Sequence, residues 1–224
     1  PVSVIKEAQQ YAADAFGAEN SIFIVNGATG AVQAMVMSVC KAGDKIILPR
    51  NVHRSAINAL VVCGAIPVYV NPGVNNDLGI PLGMTPEEVE AAILANPDAK
   101  AVLVNNPTYY GICSDLRKIV EIVHRHGMKV LVDEAHGTHF YFGDGLPPAD
   151  MASVSVHKTG GSLTQSAILL LGKGIDPNYV RQIINLTQTT SASYLLMVSL
   201  DLARQNLALH GREFYAKTVE VADY

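Results

Sequence analysis

Six short runs, at 21–25, 45–48, 66–70, 100–104, 129–132 and 151–156, are apolar on both faces and rich in Val and Ile. Stretches with helical spacing separate them. A strand without a polar face has no side it can show to water, so it must be covered on both. That requirement points to a largely parallel sheet with helices packed against each face. The predicted fold class is therefore α/β, a three-layer sandwich with a mostly parallel sheet. A seventh apolar run, 166–171, extends the sheet. Apolar residues make up 49% of the chain and charged residues 16%, which suits a buried sheet or an oligomer. No repeat, low-complexity tract or linker divides residues 1–224, so one domain is expected.

The helices carry their own punctuation. Residues 4–16 have helical spacing and Gly17 ends them; 26–30 read as a tight turn before a helix over 31–41. Residues 50–63 begin as a loop and become a helix closed by Gly64. Thr85, Pro86 and Glu88 form a capping-box start for a helix to about residue 95. The spacing predicts further helices over 114–126, 176–186 and 193–210, the last able to continue past a weak point at Gly211 towards Tyr224. Residues 71–83 and 106–113 read as loops.

Several function classes are excluded early. The net charge is −4 and no basic cluster appears, so neither nucleic acid nor an anionic membrane is an expected partner. No run of about twenty apolar residues offers a membrane span, and the first residues lack a signal-peptide plan. Cys40, Cys63 and Cys113 lie far apart among mostly apolar neighbours, and are expected to be reduced, buried thiols of a cytoplasmic protein.

Ligands of such sheets gather at the carboxyl ends of the strands, and the chemically unusual residues recur there. Thr29, His53, Thr108, Tyr109, Asp133, His136, His157 and Lys158 all follow an apolar run. Lys158 leaves the run Ser153-Val154-Ser155-Val156 into a glycine-containing loop. Its apolar surroundings predict a partly buried amine, which is what a Schiff-base nucleophile needs; a surface lysine with a snorkelling stem is the competing reading. Gly27-Ala28-Thr29-Gly30 offers a helix N-terminus and a hydroxyl for a phosphate, or else a turn capped by Thr29. It is not a dinucleotide or P-loop motif. Asp133 at a strand end needs a partner, either a protonated heterocyclic nitrogen or the next loop. His53 can stack on an aromatic ligand or cap a helix. Tyr109 and Tyr110 can line a pocket or pack their loop, and Thr108 can bond a ligand oxygen. Asp133, Glu134, His136 and His139 lack the helical spacing of a metal motif, so no metal is expected. His124 and His126 suit a helix C-terminus, and His210 reads as surface. A phosphate cradle, a stacking ring, a carboxylate for a ring nitrogen and a lysine amine are together the parts that hold pyridoxal 5'-phosphate.

Six stretches then carry a resemblance across nearly the whole chain: Ala15-Phe16-Gly17-Ala18, Val25 to Gly30, Pro49 to Ser55, Pro107 to Gly111, Val132 to Gly137 and Ser155 to Thr159. In this order they resemble the pyridoxal-phosphate Orn/Lys/Arg decarboxylases of the aspartate-aminotransferase fold, and most closely the shorter bacterial group that includes arginine decarboxylases. The resemblance implies the large domain of fold type I. It implies Lys158 as the Schiff-base lysine and Asp133 as partner of the pyridine nitrogen. Ser155, His157, Thr29 and the Ala28 backbone would bind the phosphate. His53 would stack on the ring, His136 would lie beside the cofactor, and Thr108 would be a further contact. The implied reaction removes the α-carboxylate of arginine, lysine or ornithine as CO2. An aminotransferase or lyase on the same scaffold, or an assembly domain without turnover, are the alternatives. The implied partners are a small basic amino acid and a second copy in a homodimer or larger assembly. This chain has Ala28 where the family commonly has threonine or serine. The resemblance also implies a segment before Pro1 and a smaller domain after Tyr224.

Overall fold

The computed structural model describes residues 3–143 and 149–222. Helix α1 (Ser3–Phe16) leads to strand β1 (Asn20–Ile24) and helix α2 (Gly27–Val39). Next come β2 (Lys45–Pro49), α3 (Arg54–Cys63) and β3 (Ile66–Val70). A small hairpin, β4 (Val74–Asn75) and β5 (Ile80–Pro81), interrupts the loop expected over 71–83 and precedes α4 (Pro86–Ala95). Then follow β6 (Ala101–Asn105), α5 (Leu116–Arg125), β7 (Lys129–Asp133), a 3₁₀ turn (Thr138–Phe142), β8 (Met151–Val154) and the one-turn α6 (Val156–Thr159). β9 (Ala167–Leu171), α7 (Pro177–Thr187) and the 29-residue α8 (Tyr194–Ala222) complete the described chain. No helix among the described residues is long and apolar enough to cross a membrane.

The main sheet has seven strands in the order β1-β9-β8-β7-β6-β2-β3. β8, β7, β6, β2 and β3 pair in parallel, and β9 runs antiparallel to both β8 and β1. β1 therefore points the same way as β8, and every strand but β9 ends at one edge. Successive side chains pass to opposite faces, as strand geometry requires. In β7, Val130 and Val132 join the core under α4, α5 and α8, with Ile119, Val123 and Leu200, while Leu131 joins the opposite core with Met35, Leu60 and Ile184. This two-sided burial is why the strands show no polar alternation. β1 is an outer strand, and α1 covers its free edge: Gln9 Oε1 accepts the Phe23 N–H at 3.0 Å and the Gln9 carbonyl accepts the Ser21 hydroxyl at 2.6 Å.

The capping box of Thr85 and Glu88 is present on α4, and Gly64 closes α3 at φ 73°. Elsewhere the local readings shift. The turn expected over 26–30 is already helix, since α2 starts at Gly27. β8 stops at Val154, and the backbone coils into α6 before Lys158. α8 runs through Gly211 without a break. A Cβ there would lie 3.1 Å from the Phe142 ring, so the missing side chain serves packing and not termination. Of the three thiols only Cys40 is buried; Cys63 is half-buried and Cys113 exposed.

At the amino edge, Asp150 ties three pieces together. Its carboxylate accepts from Lys129 Nζ and the Val130 N–H, each at 2.8 Å, and His124 Nε2 lies 2.8 Å away. His124 thus has a specific partner beyond the helix dipole. Burial would push the Asp150 carboxyl up, but Lys129, the Val130 N–H and His124 together hold it below its ordinary value. A depressed carboxyl contributes stability that is complete above its unfolded pKa of about 4 and is lost as pH falls through the lower folded value. Asp150→Ala is expected to cost about 2 kcal/mol at neutral pH, since it strands a buried N–H while Lys129 and His124 remain partly solvated. Urea denaturation at pH 7 and pH 3 checks this: the gap between wild type and variant should shrink at the lower pH.

Candidate functional site

A cavity of about 400 Å³ opens at the shared carboxyl edge. Strand register builds its floor. Asp133 pairs with Asn105 of β6 on one side and Ser153 of β8 on the other, so the last residue of β7 sits in mid-sheet at the rim. Asp133 is 5% exposed, and its Oδ1 accepts the Ala135 N–H at 3.1 Å. Burial raises its carboxyl, against the opposing pull of the Ala135 N–H and the His53 and Lys158 charges. A buried carboxyl in this state favours a cationic partner.

The α2 N-terminus forms another wall through Gly27, Ala28 and Thr29. The preceding Asn26 supplies no side-chain cap, so the first-turn N–H groups of Ala28 and Thr29, which line the cavity, have no intrahelical acceptor. Gly27 is different, because its N–H donates to the Gln165 carbonyl at 2.8 Å. Ser155 stands at the N-cap of α6 with its hydroxyl uncommitted to the helix. His157 Nδ1 lies 2.9 Å from the Ser166 carbonyl. A carbonyl only accepts, so Nδ1 carries a proton, and the ring lines the cavity.

Lys158 projects from α6 into the same space, where Nζ lies 3.2 Å from His136 Nε2. It is exposed, so the burial expected from its apolar neighbours is absent: one turn of helix sends Val156 inward and Lys158 outward. Burial, then Lys158 and His53, push the His136 ring below its ordinary value. A neutral ring there accepts a hydrogen bond from the amine. Tyr109 meets His136 edge-on, with centroids 5.5 Å apart. His53 caps α3, its Nδ1 accepting the Ser55 N–H at 3.2 Å, and also lines the cavity. Of the two readings of His53, the helix cap is present.

The structure thus brings Ala28, Thr29, His53, Asp133, His136, Ser155, His157 and Lys158 to one cavity. Thr108 is the exception. It is 2% exposed and turned into its own loop, where its Oγ1 accepts the Ile112 N–H at 3.2 Å, and it takes no part in the cavity wall. Its neighbour Tyr109 lines the wall instead. Sequence reasoning missed Asn51, Ser55, Asn105, Thr164 and Gln165. Asn105 had a usable signal as a polar residue closing an apolar strand. Thr164 and Gln165 had none, since they come from the return loop to the antiparallel β9. Among the described residues no group of three His, Cys, Asp or Glu side chains is arranged to hold a metal ion; Glu134 faces Tyr141 and not His136.

Comparison with known proteins places this geometry. The sequence profile described as "Orn/Lys/Arg decarboxylase, major domain" matches residues 1–223. The chain is similar to an arginine decarboxylase of Bacillus subtilis, at 49% identity over all of this chain and 47% of the relative. It is 51% identical to an arginine decarboxylase of Halalkalibacterium halodurans, with the same coverage of 100% and 47%. It therefore spans about half the length of the curated relatives it matches. Among solved structures, the Francisella novicida lysine decarboxylase superimposes with a TM-score of 0.90 at 22% identity, over 99% of this chain and 34% of that one. That likeness speaks for the fold alone. With cavity, fold and profile in agreement, the chain belongs to the Orn/Lys/Arg decarboxylase family.

Proposed function

We propose that this chain is the cofactor-bearing part of a decarboxylase that uses pyridoxal 5'-phosphate and acts on a basic amino acid, arginine before lysine or ornithine. The carrying observation is that Lys158 and Asp133, on different elements, line one cavity beside an uncapped helix N-terminus. The preference for arginine follows the relatives at about half identity, which are named arginine decarboxylases.

The donor set fits the cofactor part by part. Among the described residues, Lys158 offers the one primary amine of the cavity wall. Asp133 offers a buried carboxyl with an oxygen beyond the one bonded to Ala135, suited to a protonated ring nitrogen. The Ala28 and Thr29 N–H groups, with the Thr29 and Ser155 hydroxyls and His157, suit a phosphate. Ala28 contributes backbone only, which leaves this cradle one hydroxyl poorer than the family commonly has. His53 and His136 supply flat rings to the wall. Bound there, pyridoxal phosphate supplies an electron sink for the charge left when the α-carboxylate departs as CO2. Asp133 would hold a negative charge against the ring nitrogen, and His136 would aim the Lys158 amine into the cavity through its Nε2. Orientation of the departing carboxylate is the work of the walls, and binding energy pays for it.

Tyr109 lines the cavity and meets Tyr110 edge-on, and the two are 76% and 52% exposed. Aromatic residues so placed support a site completed by further protein, and we take the working unit to be a homodimer or larger. The free cysteines are in keeping with the cytoplasm.

Purified protein saturated with pyridoxal phosphate and given arginine should release CO2 and the matching amine in equal amounts, with no keto acid present. Product seen only after adding a keto acid would sink decarboxylation in favour of amino transfer.

A further inference from the structure

A buried acid that the cavity chemistry leaves unused follows Asp133 directly. Glu134 is 1% exposed. Its N–H donates to the Ser153 carbonyl at 2.9 Å and its carbonyl accepts the Gly137 N–H at 2.8 Å. Its carboxyl accepts a hydrogen bond from the Tyr141 hydroxyl. The Tyr141 ring is wedged against Phe16 of α1, centroids 5.0 Å apart. The stretch from 134 to 141 is therefore closed at both ends, and His136, at 3.2 Å from Lys158 Nζ, lies inside it.

We propose that Glu134 is a positioning residue: with the Tyr141 hydroxyl, its carboxyl closes the loop that carries His136 and so holds that ring against Lys158. The consequence for the cofactor rests on the function proposed above; the positioning itself concerns only residues of this chain.

Desolvation favours this arrangement while the carboxyl is neutral. An ionised carboxylate with a single neutral donor carries a large desolvation cost. Burial pushes the Glu134 carboxyl up to about 8, with the Tyr141 hydrogen bond opposing and Asp133 adding to the rise. The titratable groups facing it are Tyr141 from the 3₁₀ turn and Asp133 from its own strand. Tyr141 is itself pushed well above its ordinary value by burial and by Glu134, so it stays neutral in this range. A raised carboxyl contributes stability that is whole below its unfolded pKa and is lost as pH rises through the folded value. Above pH of about 8, the loop is thus expected to loosen.

The test follows the His136 ring by NMR between pH 6.5 and 10, without and with pyridoxal phosphate. Wild type should show a step with its midpoint near 8. The ring's own titration is pushed below its ordinary value and persists in Glu134→Gln, which tells it apart from the carboxyl step. Glu134→Gln keeps a neutral acceptor for Tyr141, so the ring should hold its low-pH position and the step should vanish. Tyr141→Phe removes the donor without changing the ring, and should displace His136 at every pH and weaken cofactor binding by about tenfold. A step that survives in Glu134→Gln, or an unmoved His136 in Tyr141→Phe, overturns the positioning role. Failure of wild type to bind pyridoxal phosphate would instead overturn the function proposed above, and the cofactor-free His136 result would still decide this one.

Discussion

Lys158→Ala is expected to abolish covalent attachment of pyridoxal 5'-phosphate and to lower turnover by at least about 10³-fold. Lys158 is the one primary amine that lines the cavity, so no neighbour among the described residues can take over the bond to the aldehyde carbon. The side chain is exposed, so the variant should fold normally, and a lost activity will not be lost structure. Lys158→Arg sharpens the result. It keeps the positive charge beside His136 and Asp133 but cannot be deprotonated to a nucleophile. It should hold the cofactor non-covalently and still fail to couple to it. Borohydride reduction followed by mass spectrometry reads the attachment directly. An adduct of wild-type yield in Lys158→Ala would refute the assignment.

The second large effect is expected at Asp133. Asp133→Asn should leave attachment at Lys158 intact and lower turnover by roughly 10²–10⁴-fold, because a neutral amide cannot hold the ring nitrogen in its protonated form. A pH signature separates this from a packing defect. In the cofactor-free chain burial raises the Asp133 carboxyl. A cation placed against it lowers it again, so binding expels a proton from whatever fraction of Asp133 was protonated. Cofactor affinity should therefore climb as pH rises toward the raised pKa of the free chain, and level off above it. The difference between wild type and Asp133→Asn in a fluorescence titration isolates this proton from those of the phosphate and the lysine. Parallel pH dependences in the two proteins would argue that Asp133 only caps its loop through Ala135.

The cavity residues that could be nominated from sequence share one property: each is tied to a rule about the strand end it follows. Asp133, Lys158, His53 and Thr29 could be nominated because a parallel sheet presents its carboxyl ends together. Thr85 and Glu88 could be read because a capping box is local, closing within four residues. Thr108 could not be separated from Tyr109, since neighbouring residues of an irregular loop obey no period. The exposure of Lys158 was misjudged for a similar reason. Apolar neighbours in sequence describe the path of the chain, and the single turn of α6 decides which side chains follow it inward. Gly211 read as a weak point in the helix until Phe142, distant in sequence, supplied its reason.

By itself the sequence determined the layered α/β architecture, because strands apolar on both faces can be satisfied only between two layers of helix. It also determined which chemical groups were available at the strand ends. Only the tertiary structure decided which of them meet. The pairing of β7 with β8 places Asp133 within reach of the element that carries Lys158; the antiparallel return of β9 carries Thr164 and Gln165 into the wall; and Tyr141 reaches back to Glu134 to close the loop around His136. These contacts join residues on separate strands and loops, and hydrogen-bond registry and side-chain packing select them from many pairings that the local sequence leaves equally open.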